Sequence, residues 1–297
     1  MISHAVILAP ASTPDSRALD RLAAEVGRHC VADVQIVADG RLPPLDGQAF
    51  LIDGAGPLDI NLWDLALAAG DGSALAMSPS GAAGGVAVAD AALLRFLGRA
   101  EGAVFDRLAA LPDLTRRVYD RPAFSADRVR GAVIFDRDGV LNEDTEYPHR
   151  PDQIVWTPTA KAAVKAVNDA GLLAFVATNQ SGVARGFYGE QDVVDLHRWM
   201  NRELIAAGAH IDAYQHSPFH PDGTVEAYRR DSDCRKPGPG MLNRLIAEHG
   251  VDRRRTVMIG DRPGDVAAGV AAGVEGMLFE GRDLAAFLAP VIARLKD

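Results

Sequence analysis

Asp136 and Asp138 stand two residues apart in Phe135-Asp136-Arg137-Asp138-Gly139-Val140-Leu141-Asn142, directly after an apolar run. On an extended or just-turning backbone both carboxylates can face one pocket. There one can attack as a nucleophile while the other moves a proton. Gly139 lets the chain turn sharply behind them. Taken alone, an Asp-x-Asp pair is more often an acidic turn. Three further clusters carry compatible chemistry. Thr178-Asn179-Gln180-Ser181-Gly182 offers a hydroxyl and loop N–H groups suited to phosphate oxygens. Cys234-Arg235-Lys236-Pro237 offers two cations before a proline that can open a helix over 238–250. Gly260-Asp261-Arg262-Pro263-Gly264-Asp265 supplies two more carboxylates before another helical stretch. Singly, these read as a polar loop, a solvated basic pair and a capped helix start.

The elements that must hold these clusters alternate regularly. Strand-like runs cover 132–136, 172–178, 256–260 and 276–280, with a weaker one at 212–216. Helical patterns lie between them at 159–171, 191–208, 240–250 and 265–273, and a last one closes the chain. Near-continuous apolar strands imply a parallel sheet covered on both faces. The expected fold is therefore α/β, a doubly wound parallel sheet, which places its site at the carboxyl ends of its strands. Only about 20 residues separate the first cluster from the helix at 159, and the segment 180–234 holds one helix and a loop. Neither is long enough for a cap domain, so the site is expected to be uncapped, with any lid drawn from loops 143–152 and 182–188, the N-terminal domain or another subunit.

A smaller α/β unit precedes this sheet. Strands are expected at 5–9, 33–39 and 49–53, with two more in ALAMS and GGVAVAD. Helices are expected at 16–30, 58–70, 90–98 and 102–111. The polar stretch 121–131, with its proline, sets a boundary near 127, giving units 1–127 and 128–297. At 297 residues the chain is ample for two domains. A net charge of −9 argues against a nonspecific nucleic-acid binder. Cys30 and Cys234 define no disulfide framework. The opening MISHAVILAP lacks the pattern of a secretory leader, and no run is long enough to span a membrane, so a cytoplasmic protein is expected.

Together, FDRDGVLN, YPHRPD, TNQSGVARGFY, CRKPGPGM and GDRPGD, in this order, resemble the haloacid dehalogenase superfamily. Within it the likeness is to the D-glycero-D-manno-heptose 1,7-bisphosphate phosphatases, with histidinol-phosphate phosphatases as close relatives. The resemblance covers roughly 131–280 and implies a phosphatase acting on a small-molecule sugar phosphate. It makes Asp136 the nucleophile and Asp138 the general acid and base. Thr178 and Lys236 would hold the transferring oxygens. Asp144, Tyr147, Asn179, Gln180, Ser181, Arg235 and Arg262 fall at substrate-contact positions. Mg²⁺ would be held by Asp136, Asp261 and the carbonyl of Asp138, with Asp265 a capping residue. The leading substrate is a heptose bisphosphate. The alternatives are histidinol phosphate and, in a different class, a non-catalytic scaffold.

Two departures stand out. Arg262 replaces the usual lysine after the metal aspartate. The family's zinc-binding cysteine and histidine positions are here Ser217, Phe219, Ser232 and Cys234, so a structural zinc is expected to be absent; His216, His220 and Cys234 are the remaining candidates for a substitute site. Residues 1–125 resemble a shortened sugar-phosphate nucleotidyltransferase whose nucleotide loop is replaced by LAPASTPDS, with Asp53 a remnant. A degenerate domain serving homo-oligomer assembly or substrate guidance is the corresponding expectation.

Overall fold

A computed structural model describes residues 130–296 without a break. Before them it describes residues 2, 4–8, 23, 33–37, 48–53, 62–69, 73–77, 83–89, 93, 105, 108, 111 and 114–118. The chain divides into two compact units, Met1–Arg128 and Val129–Asp297. Within the first, β1 (His4–Leu8), β2 (Asp33–Val37), β3 (Ala49–Asp53), β4 (Ala74–Met77), β5 (Ala83–Ala89) and β6 (Thr115–Val118) form one sheet in the order β2-β1-β3-β5-β4-β6. Both β1 pairings and β4·β6 are parallel, and β5 runs antiparallel to β3 and β4. Helix α1 (Leu62–Ala69) lies inside the stretch expected at 58–70. Strand β6 was not anticipated, because Thr-Arg-Arg-Val carries almost no apolar signal. Most of the helices expected at 16–30, 90–98 and 102–111, the loop LAPASTPDS beyond Leu8, Cys30 and most of the stretch 121–131 lie outside the described residues.

The second unit carries a five-stranded sheet, β7 (Ala132–Phe135), β8 (Leu173–Asn179), β9 (Ala213–Ser217), β10 (Thr256–Gly260) and β11 (Glu275–Leu278), in the order β11-β10-β7-β8-β9. Every pairing is parallel. Successive side chains of a strand point to opposite faces, and here both faces are core. Val133, Phe135, Ala174, Val176, Val257 and Ile259 pack against α2 (Ala160–Asp169), α3 (Glu190–Ile205) and α6 (Leu284–Lys296). Ala132, Ile134, Phe175, Ala177 and Met258 pack against α4 (Gly240–His249) and α5 (Pro263–Ala271). That two-sided burial is why the strands read as unbroken apolar runs rather than alternating ones.

Helix α4 starts at Gly240 with Pro239 as its N-cap, where the 240–250 pattern places it and two residues after the Pro237-opened start at 238, because Gly238 first closes a turn onto the Arg235 carbonyl at 2.7 Å. Within residues 130–296 the sheet insertions amount to short 3₁₀ turns at Pro151–Gln153 and Glu226–Tyr228 and their loops, with no cap domain. The chain reverses direction across the sheet between β7 and β10, which opens the crevice where such folds place their ligands.

One buried group couples this core to pH. His197 on α3 stacks on Tyr214 at 4.5 Å between ring centroids and is 4% exposed. Burial, with Arg137 and His216 nearby, holds its pKa well below the ordinary 6.5. Below that value the unfolded chain therefore binds a proton that the native state refuses, and stability falls as pH drops. The His197→Phe protein is expected to lose less of its urea midpoint than the parent between pH 7.5 and pH 5.5. Equal losses in the two proteins would rule out this account.

Candidate active site

The geometry begins where β7 runs out. The Asp136 N–H still pairs with the Ile259 carbonyl of β10 at 2.8 Å, so its side chain is set by sheet register rather than by a free loop. Asp136 is 8% exposed, and its Oδ1 accepts from the Arg137 N–H at 2.7 Å. Lys236 Nζ lies 2.9 Å from Asp136 Oδ1 and 2.7 Å from Asp265 Oδ1, with the lysine itself buried. Burial pushes the Asp136 carboxyl up to about 6; Lys236 opposes the shift, and Asp265 and Asp138 add to it. A single ammonium thus offsets two crowded carboxylates.

Asp261 completes the crowd. Carboxylate oxygens of Asp136, Asp261 and Asp265 lie within 4.8 Å of one another. Asp265 is fully engaged: Oδ1 meets Lys236, and Oδ2 accepts the Arg262 N–H at 3.0 Å, capping α5. Asp261 Oδ1, in contrast, is buried without a hydrogen-bond partner among the described residues, and burial raises its carboxyl's pKa. Two glycines make the approach possible. A Cβ on Gly139, at φ +82°, would sit 2.2 Å from Asp261 Oδ2, and one on Gly260 would sit 2.1 Å from Asp265 Cβ. A cluster of carboxylates with one orphaned buried oxygen fits a hard divalent cation.

Asp138 is held differently. Arg137, with no exposed surface, turns back on it through Nε to Oδ1 at 3.0 Å and Nη2 to Oδ2 at 2.9 Å. The same Nη2 donates to the Pro148 carbonyl and to Gln180 Oε1. Asn142 Nδ2 and Gln180 Nε2 also donate to the Asp138 carboxylate, at 2.9 and 3.0 Å. Gln180 in turn donates to Thr178 Oγ1 at 2.9 Å and accepts from the Tyr188 hydroxyl at 2.9 Å. The proton-moving candidate is therefore fixed in orientation, with its carboxylate satisfied on both oxygens.

Asn179 uses its amide on main chain. Its Oδ1 accepts the Lys236 N–H at 3.0 Å and its Nδ2 donates to the Lys236 carbonyl at 3.0 Å. Arg262 reaches Asp144 Oδ2 at 2.6 Å and lies 3.9 Å from Asp261 Oδ2. Tyr147 meets Phe187 edge-on at 5.1 Å, and His149 stacks on Tyr188 at 4.6 Å, so loops 143–152 and 182–188 are joined by two ring pairs.

A polar cavity of about 480 Å³ gathers these groups. Asp136, Asp138, Asp144, Tyr147, Thr178, Asn179, Gln180, Ser181, Arg235, Lys236 and Arg262 all line it. Asp261 is not among the lining residues, but its carboxylate lies within 4.8 Å of that of Asp136. Sequence reasoning passed over four residues. Glu146, Arg185 and Tyr188 line the cavity, and Arg137 lies behind it. For Arg137 the available signal was its place between two aspartates. His216, His220 and Cys234 do not gather: among the described residues the three aspartates are the sole cluster with metal-ligand spacing. His216 faces Glu190 at 3.5 Å, and Cys234 Sγ accepts from Arg244 at 3.7 Å.

The HAD-hydrolase-like family model matches residues 233–281. The D-glycero-beta-D-manno-heptose-1,7-bisphosphate 7-phosphatase of Rhodopseudomonas palustris is 44% identical over 167 residues, covering 56% of this chain and 93% of the relative. The enzyme of the same name from Escherichia coli K12 is 37% identical over 143 residues, covering 48% of this chain and 75% of the relative. Among solved structures, an HAD-like phosphatase from Mesorhizobium loti superposes with a TM-score of 0.53 at 31% identity, covering 61% of this chain and 89% of that one. With these likenesses and this strand-end geometry, the chain belongs to the heptose-bisphosphate phosphatase family of HAD-like hydrolases.

Proposed function

We propose that the second unit hydrolyses a phosphate monoester of a sugar, a heptose 1,7-bisphosphate foremost, through a phosphoryl-Asp136 intermediate. The observation that carries this reading is the meeting of Asp136, Lys236 and the Asp261 carboxylate at the strand ends beside one polar cavity. The relatives' names supply the substrate class.

In the reaction, Asp136 Oδ attacks phosphorus in line while the P–O bond to the sugar breaks. Asp138 gives its proton to the departing alkoxide, then takes one from the water that cleaves the acyl phosphate, returning Asp136 and releasing inorganic phosphate. Arg137, Asn142 and Gln180 hold Asp138 for both transfers. Lys236 Nζ and Thr178 Oγ are the groups that steady the negative charge on the transferring oxygens. Asp265 keeps Lys236 in place.

Mg²⁺ fits the donor set: Asp136, the unpartnered Asp261 Oδ1 and the Asp138 carbonyl are hard oxygen ligands. Bound there, it supplies the positive charge that lets an anionic nucleophile and an anionic substrate coexist. We further propose that the 217–234 loop needs no structural zinc. It is held by Arg230 stacked over the Phe219 ring at 4.1 Å, Phe219 beside Tyr228 at 6.2 Å, and the Val225 N–H on the Ala184 carbonyl at 2.9 Å.

Three outcomes are expected. Asp136→Asn abolishes Mg²⁺-dependent phosphate release from heptose 1,7-bisphosphate; release equal to the parent's would refute the mechanism. After treatment with a chelator, Mg²⁺ alone restores full activity and near-ultraviolet circular dichroism is unchanged throughout; a requirement for added Zn²⁺ would contradict the zinc-free loop. Arg137→Met lowers kcat/KM for the alkyl ester by about 10²-fold, the scale of general acid catalysis. It lowers kcat/KM much less for p-nitrophenyl phosphate, whose leaving group needs little protonation. Equal losses on both substrates would mean that Arg137 serves only the fold.

A further inference from the structure

Gln180 lines the cavity, yet its side chain is spent inside the protein. Its Oε1 accepts from Arg137 Nη2 at 3.1 Å and from the Tyr188 hydroxyl at 2.9 Å. Its Nε2 donates to Asp138 Oδ2 at 3.0 Å and to Thr178 Oγ1 at 2.9 Å. Both lone pairs and both protons of the amide are in use. The amide also has only one workable sense. Arg137 offers donors and nothing else, so turning the amide over would set its NH₂ group against a guanidinium.

That sense decides what Thr178 can do. A hydroxyl carries one proton and can also accept. Thr178 Oγ1 accepts from Gln180, and its own proton meets no acceptor among the described residues. The proton is therefore left for an oxygen in the cavity that Thr178 lines. With the amide reversed, the hydroxyl would donate to Gln180 and offer the cavity only lone pairs, which repel phosphate oxygens.

Tyr188 is built to hold the amide in this sense. The chain turns back from Gln180 through the Val183 N–H on the Gln180 carbonyl at 3.2 Å and the Phe187 N–H on the Gly182 carbonyl at 2.9 Å. A Cβ on Gly182 would sit 2.3 Å from Tyr188 Cε1 and Cζ, so the ring presses on bare main chain. His149 stacks on the ring at 4.6 Å. Burial pushes the phenol up to about 12, so it keeps its proton and remains a donor at neutral pH.

We infer that Tyr188 is a positioning residue for phosphoryl transfer: it locks the Gln180 amide so that the Thr178 hydroxyl keeps its proton for an oxygen of the transferring group. The inference rests on the proposed phosphatase reading and deepens it. Gln180, expected at a substrate-contact position, becomes the link between Tyr188 and Thr178. Asp138 depends on this link less, because Arg137 and Asn142 also hold its carboxylate. Thr178 Oγ1 has Gln180 as its one donor among the described residues.

The experiment is a double-mutant cycle with two readouts: kcat/KM, and calorimetric binding of orthovanadate, a stand-in for the transferring phosphoryl group, to the Mg²⁺-loaded protein. Tyr188→Phe is expected to lower both about 3- to 10-fold, the scale of one hydrogen bond. The loss in kcat/KM is expected to be the same for heptose 1,7-bisphosphate and p-nitrophenyl phosphate, since the transferring oxygens are common to the two and only the leaving group differs. In a Thr178→Val background, Tyr188→Phe is expected to change either readout by less than about 2-fold, as for residues acting through one group. Parental values in Tyr188→Phe, or a loss that persists undiminished in the Thr178→Val background, would overturn the inference. So would a loss confined to the heptose ester, which would route the effect through Asp138. Should Tyr188→Phe lose the parental near-ultraviolet circular dichroism, Gln180→Met decides in its place, with orthovanadate affinity expected to fall in the parent and to hold in the Thr178→Val background. A parent that binds orthovanadate yet releases no phosphate would strike at the proposed reaction, and the binding cycle would still judge Tyr188.

Discussion

Like charges crowd one end of this sheet, and the way they are compensated governs the rest. Asp136, Asp261 and Asp265 bring carboxylate oxygens within 4.8 Å of one another in a largely buried setting. Such a cluster would repel itself apart or stay protonated without nearby cations. Lys236 answers for two of the three with contacts of 2.9 and 2.7 Å. The third, Asp261, keeps a buried oxygen unsatisfied. The arrangement is thus stable enough to fold yet incomplete without a further positive charge, which is the condition a metal-dependent phosphoryl-transfer site requires.

Much of this was legible in the residues. The parallel sheet followed from apolar runs of strand length separated by helical spacing, and both faces of β7, β8 and β10 are core. The clusters after those strands converge because strand ends in such a sheet share one rim. What the residues hid was the supporting layer. Arg137 looks like a solvated arginine between two aspartates, and nothing local reveals that it is buried against Pro148 and Gln180. Asn179 and Gln180 look free to meet a ligand, yet their amides are spent on Lys236 main chain and on Asp138. Strand β6 escaped notice because its pairing with β4 draws on backbone hydrogen bonds and not on apolar side chains. Long-range partners of polar groups are the part of a fold that periodicity does not encode.

Without a cap domain, the boundary of the cavity falls to loops. The segment carrying Tyr147 and His149 meets the segment carrying Phe187 and Tyr188 through two ring contacts, at 5.1 and 4.6 Å. Glu146 and Tyr147 both adopt positive φ, a conformation that side-chain-bearing residues take only when their surroundings impose it. The ring contacts and the ion pair between Asp144 of this loop and Arg262 hold the segment in place on either side.

The double amide contact between Asn179 and the Lys236 main chain ties together two loops 57 residues apart in sequence. Thr178 is Asn179's neighbour on β8, so the hydroxyl and the ammonium proposed to steady the transferring oxygens ride on a single cross-brace. Their separation is set before any ligand arrives. The orientational entropy that two independent loops would lose at the moment of reaction has already been surrendered during folding.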